Sequence, residues 1–195
     1  YASGNGDYAE WIPREDKKAI LHPRQIVGVK QGHVSLQTRN ADHIMVVSSA
    51  PIVLGNTPDA DSEEDYEKVA FMGQVPVDIL GPVIAGDYIL ASGDNDGFGI
   101  AVRPDEIHVN MVDQIVGVAW EDGLNEAFNT VNVAVGLDHS ATAVKLASLR
   151  ESLGGLRSEL DELTALAMGM NVPVASSVQE VEQGFFKRLF GKGKG

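Results

Sequence analysis

Residues 146–163 have the sequence LASLRESLGGLRSELDEL, in which a leucine recurs at every third or fourth position. The spacings are 3, 4, 3, 4 and 3, and the six leucines are Leu146, Leu149, Leu153, Leu156, Leu160 and Leu163. A period of 3.5 residues keeps these side chains on one stripe of an α-helix and is typical of a supercoiled seam. Because such a seam needs a partner, this stretch predicts that the chain self-associates through its C-terminal part.

The residues around the leucine stripe do not settle how many chains it joins. Gly154 and Gly155 fall at outward-facing heptad positions, and Arg150, Arg157 and Glu159 provide only a thin charge pattern beside the seam. We favour a parallel homotrimer, with a dimer and a helix packed on its own β-domain as alternatives. Since three to four heptads are marginally stable alone, the rest of the chain is expected to share the interface.

The sequence on either side of the stripe sets the limits of the helix. Ser140 is a good N-cap, and the helix is predicted to run to about Met170, before a break that contains Pro173. The tail beyond it carries Phe185 and Phe186 among basic residues; packing of these rings against the coil is favoured over contact with a membrane surface. The predicted domains are a β-rich domain at 1–138, the leucine helix at 139–170 and a linker with a short basic tail at 171–195.

The first two thirds of the chain consist of short apolar segments separated by Gly, Asn, Asp and Pro. Gln31–Gly32 is typical of a hairpin turn, and Pro76 belongs at a strand edge or bulge because it cannot donate a ladder hydrogen bond. The predicted fold class is mainly β, with a compact antiparallel β-barrel or sandwich followed by a C-terminal coiled-coil helix. The predicted strands are Gln25–Lys30, His33–Gln37, His43–Ser48, Ile52–Leu54, Val69–Leu80, Asp87–Ala91, Gly99–Arg103, Ile115–Trp120 and Thr130–Gly136.

Charge is distributed unevenly along the chain. The formal net charge is −13, and residues 1–138 hold 22 acidic and 8 basic side chains, whereas residues 139–195 hold 6 and 7. An acidic body repels phosphate backbones, so the sequence argues against nucleic acid as a partner. The chain contains no cysteine, which excludes disulfides and thiolate chemistry.

Several polar motifs are candidates for metal or ligand sites. Asp59–Glu67 is rich in carboxylates, but an EF-hand that starts at Asp59 would need Gly at Glu64 and Glu at Ala70. Gly93–Gly97 is typical of a tight turn, and the five histidines lack ligand spacing. We therefore predict no metal and no cofactor. An acidic module that binds a cationic ligand or metal stays as an alternative function.

The N-terminal segment contains Ser3, Asp7 and Glu10 in the sequence Ser-Gly-Asn-Gly-Asp-Tyr-Ala-Glu. Its glycines predict a mobile loop, with two carboxylates placed three residues apart. Such a pair can divide the roles of base and acid when burial separates the two pKa values. Two acids in a loop are usually solvated, so the spacing alone is a weak indication of catalysis.

This segment resembles the start of the C-terminal autoproteolytic chaperone domains of phage neck-appendage and tail-fibre proteins. The resemblance covers roughly residues 3–120 in short motifs. They are Asp7-Tyr-Ala-Glu10, the strand pair 25–37, Ser48-Ser-Ala-Pro-Ile-Val-Leu-Gly-Asn56, Met72-Gly-Gln-Val-Pro-Val77, Gly81-Pro-Val-Ile-Ala-Gly-Asp87 and Gln114-Ile-Val-Gly-Val118.

The resemblance implies a homotrimeric β-domain that helps an upstream fibre segment to fold. It then releases itself from that segment by a single self-cleavage. The resemblance also implies that Asp7 and Glu10 carry the cleavage, with water or the Ser3 hydroxyl as nucleophile. The implied partners are other copies of the chain and the upstream fibre. The implied location is extracellular, on a virion or a cell-surface appendage. A fibre tip of the same fold that does not cleave is the alternative.

Overall fold

The computed structural model describes residues 6–136 and 139–170. Ser3 and the basic tail with Phe185 and Phe186 lie outside these residues, so the predictions made for them stay open. The described part contains ten strands and one long helix. They are β1 (Gly6–Pro13), β2 (Ile26–Lys30), β3 (His33–Ser35), β4 (His43–Val47), β5 (Val53–Gly55), β6 (Tyr66–Leu80), β7 (Tyr88–Ala91), β8 (Gly99–Val102), β9 (Ile115–Ala119), β10 (Phe128–Val135) and α1 (His139–Met170).

The prediction of a mainly β domain followed by a helix is confirmed, and nine of the ten strands occur where they were expected. The exception is β1. Residues 6–13 were predicted to form a mobile loop, but they form a strand that pairs with β5 and β6. Alternate residues of β1 point to opposite faces, with Asp7, Ala9 and Trp11 buried. Pairing with distant strands therefore outweighs the local effect of the glycines.

Five strands close into a barrel, which confirms the barrel prediction. The hydrogen-bonded order is β10–β9–β7–β8–β6, and β10 also pairs with β6, so the sheet returns to its starting strand. Within this barrel, neighbouring strands are antiparallel except for β6 and β8, which run parallel. The barrel interior is filled by β-branched side chains, including Val75, Val77 and Ile79 from β6 and Val131 and Val133 from β10.

The first half of β6 takes part in a second ring of strands. It pairs with β1 on one edge and with β4 on the other, and β4 continues through β2 to β3. A bridge between Arg14 and Val34 brings the end of β1 beside β3. The backbone N–H of Glu15 also donates to the Val34 carbonyl at 3.0 Å. This ring encloses a smaller apolar core, which includes Val27, Val47 and Val69.

A bulge in β6 lets one strand serve both cores. The register with β1 shifts by one residue, because Tyr8 lies opposite Met72 while Ala9 lies opposite Ala70. The extra residue, Phe71, reverses the alternation, so Ala70 and Val75 both reach the larger core although they are five residues apart. Without this insertion, one half of β6 would present its apolar face to solvent.

Two local predictions are confirmed by the backbone. Gln31 and Gly32 both have positive φ values, 50° and 79°, as expected for the two central residues of the turn between β2 and β3. Pro76 lies after the last residue of β6 paired with β1 and before the first one paired with β8. That edge of β6 has no strand partner at Pro76 among the described residues, which accommodates a residue without an N–H.

The helix α1 spans 32 residues, His139–Met170, and ends where it was predicted to end. It begins one residue before Ser140, so Ser140 lies within the helix rather than at its cap. The chain divides into two compact units, Tyr1–Ala147 and Ser148–Gly195, with the boundary inside α1. A coiled coil involves more than one chain, so that part of the fold class stays a prediction.

Candidate assembly surface and N-terminal carboxylates

The six leucines of the stripe lie on α1 and are exposed in the single chain. Their exposed fractions range from 37% at Leu146 to 65% at Leu153. The helix adds further apolar surface at Leu166 and Met168. Exposing this much leucine surface on one helix is unfavourable in water, at about 25 cal/mol for each Å² of apolar area. The stripe is therefore a surface that association with another helix would stabilise.

Gly154 and Gly155 lie away from this stripe. A Cβ atom added at either position would meet nothing within 4 Å. The two glycines therefore leave the stripe intact, but each lowers the intrinsic stability of the helix by about 1 kcal/mol relative to alanine. A helix of this composition depends on packing of its apolar side for stability.

The two candidate carboxylates, Asp7 and Glu10, lie on opposite faces of β1. Asp7 is fully buried, with 0% of its surface exposed, and points to the same side as Ala9 and Trp11. Glu10 is exposed and points to the other side. Three residues along a strand reverse the direction of the side chain, so one chain does not bring the two carboxylates together. A spacing of three residues places two side chains on the same side in a helix or in a suitable loop, but not in a strand.

The backbone around both carboxylates is held by β-pairing. Glu10 lies beside Gly55 of β5, where a Cβ on the glycine would be 3.6 Å from the Glu10 Cγ. Asp7 lies opposite Gly73, and its carbonyl accepts a hydrogen bond of 2.8 Å from the Ile52 N–H. Gly73 has a φ of 108°, and a Cβ there would lie 2.4 Å from the Gly6 carbonyl oxygen. The glycine therefore permits the start of β1 to approach β6.

Trp11 anchors the other end of this strand. Its side chain is 7% exposed, and the Lys68 ammonium lies 5.0 Å from the centroid of its ring. The Trp11 carbonyl accepts a hydrogen bond of 2.7 Å from the Asn56 side-chain amide. These contacts make residues 6–13 an integral part of the β-unit, by which we mean strands β1–β10 at residues 6–135.

Glu67 is an ionisable group that the sequence analysis did not single out. Burial raises the pKa of its carboxyl, although the Lys68 backbone N–H, which donates to it at 3.3 Å, and the Arg14 guanidinium both favour the charged form. Glu67 is the last residue of the carboxylate-rich stretch Asp59–Glu67. The structure instead places it in β6, opposite Ile12 of β1.

The acidic run itself forms a 3-10 helix, Ala60–Asp65, directly before β6. Asp65 pairs with Lys17 and raises the pKa of that ammonium. In the other acidic loop, Asp96 accepts hydrogen bonds from the Ser92 hydroxyl at 2.6 Å and the Phe98 N–H at 2.9 Å. Within the described residues, no group of three or more His, Asp or Glu side chains could hold a metal ion.

Two further surfaces were not anticipated from the sequence, and both consist of apolar side chains in register across three strands. The first, called the Tyr8 row below, crosses β5, β1 and β6 and consists of Val53, Tyr8 and Met72. The second, called the Leu80 row, crosses β8, β6 and β10 and consists of Ile100, Leu80 and Phe128. All six side chains are exposed. Only the strand register identifies such rows, because their members are far apart in sequence.

A surface cleft of about 350 Å³ lies next to the Leu80 row. Its lining includes Ile100, Val102 and Met111, with Arg39 and Asn110 as polar groups. Within residues 6–136 and 139–170, no helix is long and apolar enough to cross a membrane.

Comparison with known proteins gives a likeness in fold. No protein-family model and no curated protein matches the chain. The crystal structure of the pre-mature bacteriophage phi29 gene product 12 matches with a TM-score of 0.50 and 13% identity, over 69% of this chain and 22% of that one. The crystal structure of a C-terminal fragment of the same phi29 protein matches with a TM-score of 0.48 and 13% identity, over 66% of this chain and 99% of the fragment.

At this level of identity, the first match shows a shared fold and nothing about shared chemistry. The aligned region covers about a fifth of the longer phi29 chain. Residue roles must therefore be argued from the positions of the side chains in this chain.

Proposed function

We propose that this chain is a self-associating assembly domain of a fibrous, phage-like appendage, in which three copies are held together by the leucine stripe of α1. The observation that carries the proposal is the continuous row of six exposed leucines at coiled-coil spacing. The likeness in fold to a bacteriophage phi29 structure supports an appendage context. This context would place the assembled protein outside the cell, on a virion or a surface fibre.

The connection of the β-unit to the rest of the chain supports a role in assembly. Gly6 at the start of β1 pairs with Gln74, and Val135 at the end of β10 pairs with Gly73. The two strands lie on opposite edges of β6, so the chain enters and leaves the β-unit about 10 Å apart. Association of three copies would therefore also gather three upstream segments. A high local concentration of these segments favours their folding into a common fibre.

Self-cleavage is a second candidate activity, and the exposed carboxylate of Glu10 in the middle of β1 favours it. Glu10 lies about 13 Å along the strand from Gly6, so the segment before Gly6 would have to fold back along β1 to reach it. In this reaction Glu10 takes a proton from water or from the Ser3 hydroxyl, and the resulting oxygen nucleophile attacks a backbone carbonyl carbon upstream of Gly6. The peptide C–N bond then breaks, and the proton passes to the leaving amine. With water as the nucleophile this completes the cleavage, whereas with Ser3 the acyl ester formed on its oxygen is then hydrolysed by a water molecule, which releases the upstream segment. Asp7, which is buried on the other face, would take part only after β1 had opened.

Sedimentation of the full chain tests the assembly proposal. Leu153→Asp combined with Leu160→Asp places two charges on the stripe and should convert the oligomer to monomers. The matched control, Ser148→Asp combined with Ser158→Asp, adds the same charge on α1 away from the stripe and should leave the oligomer unchanged. A wild-type chain that sediments as a monomer would refute the proposal.

Intact mass tests the cleavage proposal. The protein is expressed with its natural upstream region, and the mass of the denatured product is compared with that of Glu10→Gln. The variant should remain uncut while still forming the oligomer, whereas Glu126→Gln, which neutralises another exposed carboxylate, should be processed like the wild type. If the wild type is also uncut, the domain acts as a permanent fibre tip and Glu10 is an ordinary surface acid.

A further inference from the structure

We propose that the Tyr8 row is a contact surface for a second copy of this chain, in addition to the leucine stripe. The proposal rests on the self-association proposed above and identifies a part of the β-unit that takes part in it. The occupant is a neighbouring β-unit of the same assembly. Three features of the row favour this contact, namely its composition, its place in the sheet and its charge.

The row is a continuous apolar surface across three strands. Tyr8 lies opposite Val53 on one side and Met72 on the other, so the three side chains share one face of the sheet. Their exposed fractions are 40%, 50% and 40%. Cross-strand neighbours lie about 5 Å apart, so the three side chains form one patch rather than three separate exposed residues.

The row lies where the chain leaves the β-unit toward the leucine helix. Gly136, directly after β10, packs so closely on β6 that a Cβ would lie 2.7 Å from the Met72 Cα. The first leucine of the stripe, Leu146, follows ten residues later. Residues 139–146 are helical, so the segment from Gly136 to Leu146 spans at most about 21 Å. Joining copies through the stripe would therefore bring the row of one copy near the β-unit of the next.

The charge distribution also favours the Tyr8 row as the contact between two copies. Each copy has a formal net charge of −13, so two β-units repel each other over most of their surfaces. The row itself contains no charged residue, and its neighbour on the same face of β1 is Glu10, two residues from Tyr8. The Leu80 row is also uncharged, but Leu80 is eight residues from Met72 along β6, or about 26 Å. Of the two rows, the Tyr8 row is therefore the one closer to Gly136, where the chain leaves the β-unit toward α1.

The absence of cysteine from the chain permits a direct test. Val53→Cys introduces a single thiol in the row, and Leu124→Cys introduces one at a loop residue that is 77% exposed and lies outside both rows. The rate of reaction with a bulky maleimide is measured for each thiol in the full chain. It is measured again in chains that also carry Leu153→Asp and Leu160→Asp. Sedimentation gives the oligomeric state of every variant, and thermal unfolding shows that each one is folded.

In the oligomer, the thiol of Val53→Cys should react at about one tenth of its rate in the monomeric background, or more slowly still. The reason is that the maleimide reaches this thiol only in the dissociated fraction. Breaking the stripe should restore its rate, while the thiol of Leu124→Cys reacts equally fast in both backgrounds. An oligomer in which the thiol of Val53→Cys reacts as fast as in the monomer would overturn the contact but leave the proposed function standing. A chain that is monomeric throughout would overturn both.

Discussion

At the scale of single residues, close backbone contacts explain glycines that sequence patterns leave ambiguous. The segments Ile26–Val29 and Ile115–Val118 share the sequence Ile-Val-Gly-Val and form β2 and β9. In each case the glycine is pressed against a carbonyl oxygen. A Cβ at Gly28 would lie 2.0 Å from the oxygen of Gln37, and one at Gly117 would lie 2.1 Å from that of Ala134. The short repeat therefore reflects a shared steric requirement.

Gly117→Ala should consequently destabilise the protein by about 3 kcal/mol, because β9 and β10 must separate to admit the methyl group. Gly55→Ala is the matched control within the sheet, since its Cβ would meet nothing closer than the Cγ of the flexible Glu10 side chain at 3.6 Å. Chemical denaturation of both variants checks this expectation. Equal losses of stability in the two would contradict it.

The raised pKa of Glu67 predicts a pH dependence of stability. Burial raises this pKa above the usual 4.5, so folding penalises the charged form. The native state then binds more protons than the unfolded state between the two pKa values, and the contribution of Glu67 to stability falls as the pH rises through that range. Glu67→Gln, which stays neutral, removes the penalty.

Thermal unfolding at two pH values measures this effect. At pH 7 the Glu67→Gln variant should unfold at a higher temperature than the wild type, and the difference should shrink as the pH falls below 4.5, where the wild-type carboxyl is protonated in both states. A variant that is less stable than the wild type at pH 7 would show that the contacts with Arg14 and Lys68 outweigh the cost of burial.

At the scale of elements, local sequence patterns predicted the structure correctly, whereas features that depend on distant strands were missed. The leucine helix was found from its period alone, because helical contacts join residues three and four apart. The strand β1 was missed because its partners, β5 and β6, lie more than forty residues away in sequence. The same holds for the bulge at Phe71 and for the Tyr8 row, since register is a property of pairs of strands.

The candidate site was therefore predicted only in part. The sequence identified Asp7 and Glu10 as acids, but their separation onto opposite faces follows from β1 being a strand. Burial of Asp7 could not be anticipated while residues 6–13 were treated as a loop. By contrast, the positions of Gly154 and Gly155 off the leucine stripe follow directly from the heptad spacing.

These two glycines give a prediction for the helix as an element. Gly154→Ala combined with Gly155→Ala should stabilise α1 by about 1 kcal/mol for each substitution without altering the leucine stripe. The helical circular dichroism signal should rise and the assembly should resist dilution to lower concentration, with the number of copies unchanged. A changed copy number would mean that one of the glycines faces a neighbouring helix.

At the scale of the whole molecule, association must overcome repulsion between acidic chains. Each copy has a net charge of −13, and most of the excess lies in residues 1–138. An assembly held by leucines and by the Tyr8 row should therefore tighten with salt, since screening weakens the repulsion and leaves apolar contacts in place. Sedimentation at about 20 and about 300 mM NaCl checks this, spanning Debye lengths of roughly 20 to 6 Å. Weaker association at high salt would indicate an interface held by ion pairs.

The native mass of the unmodified chain tests the central claim most directly. One copy has a mass of 20.8 kDa. We predict a species of three times that mass, which separates into single chains when Leu153→Asp and Leu160→Asp are introduced together. A native spectrum that contains only single 20.8 kDa chains at micromolar concentration would contradict it.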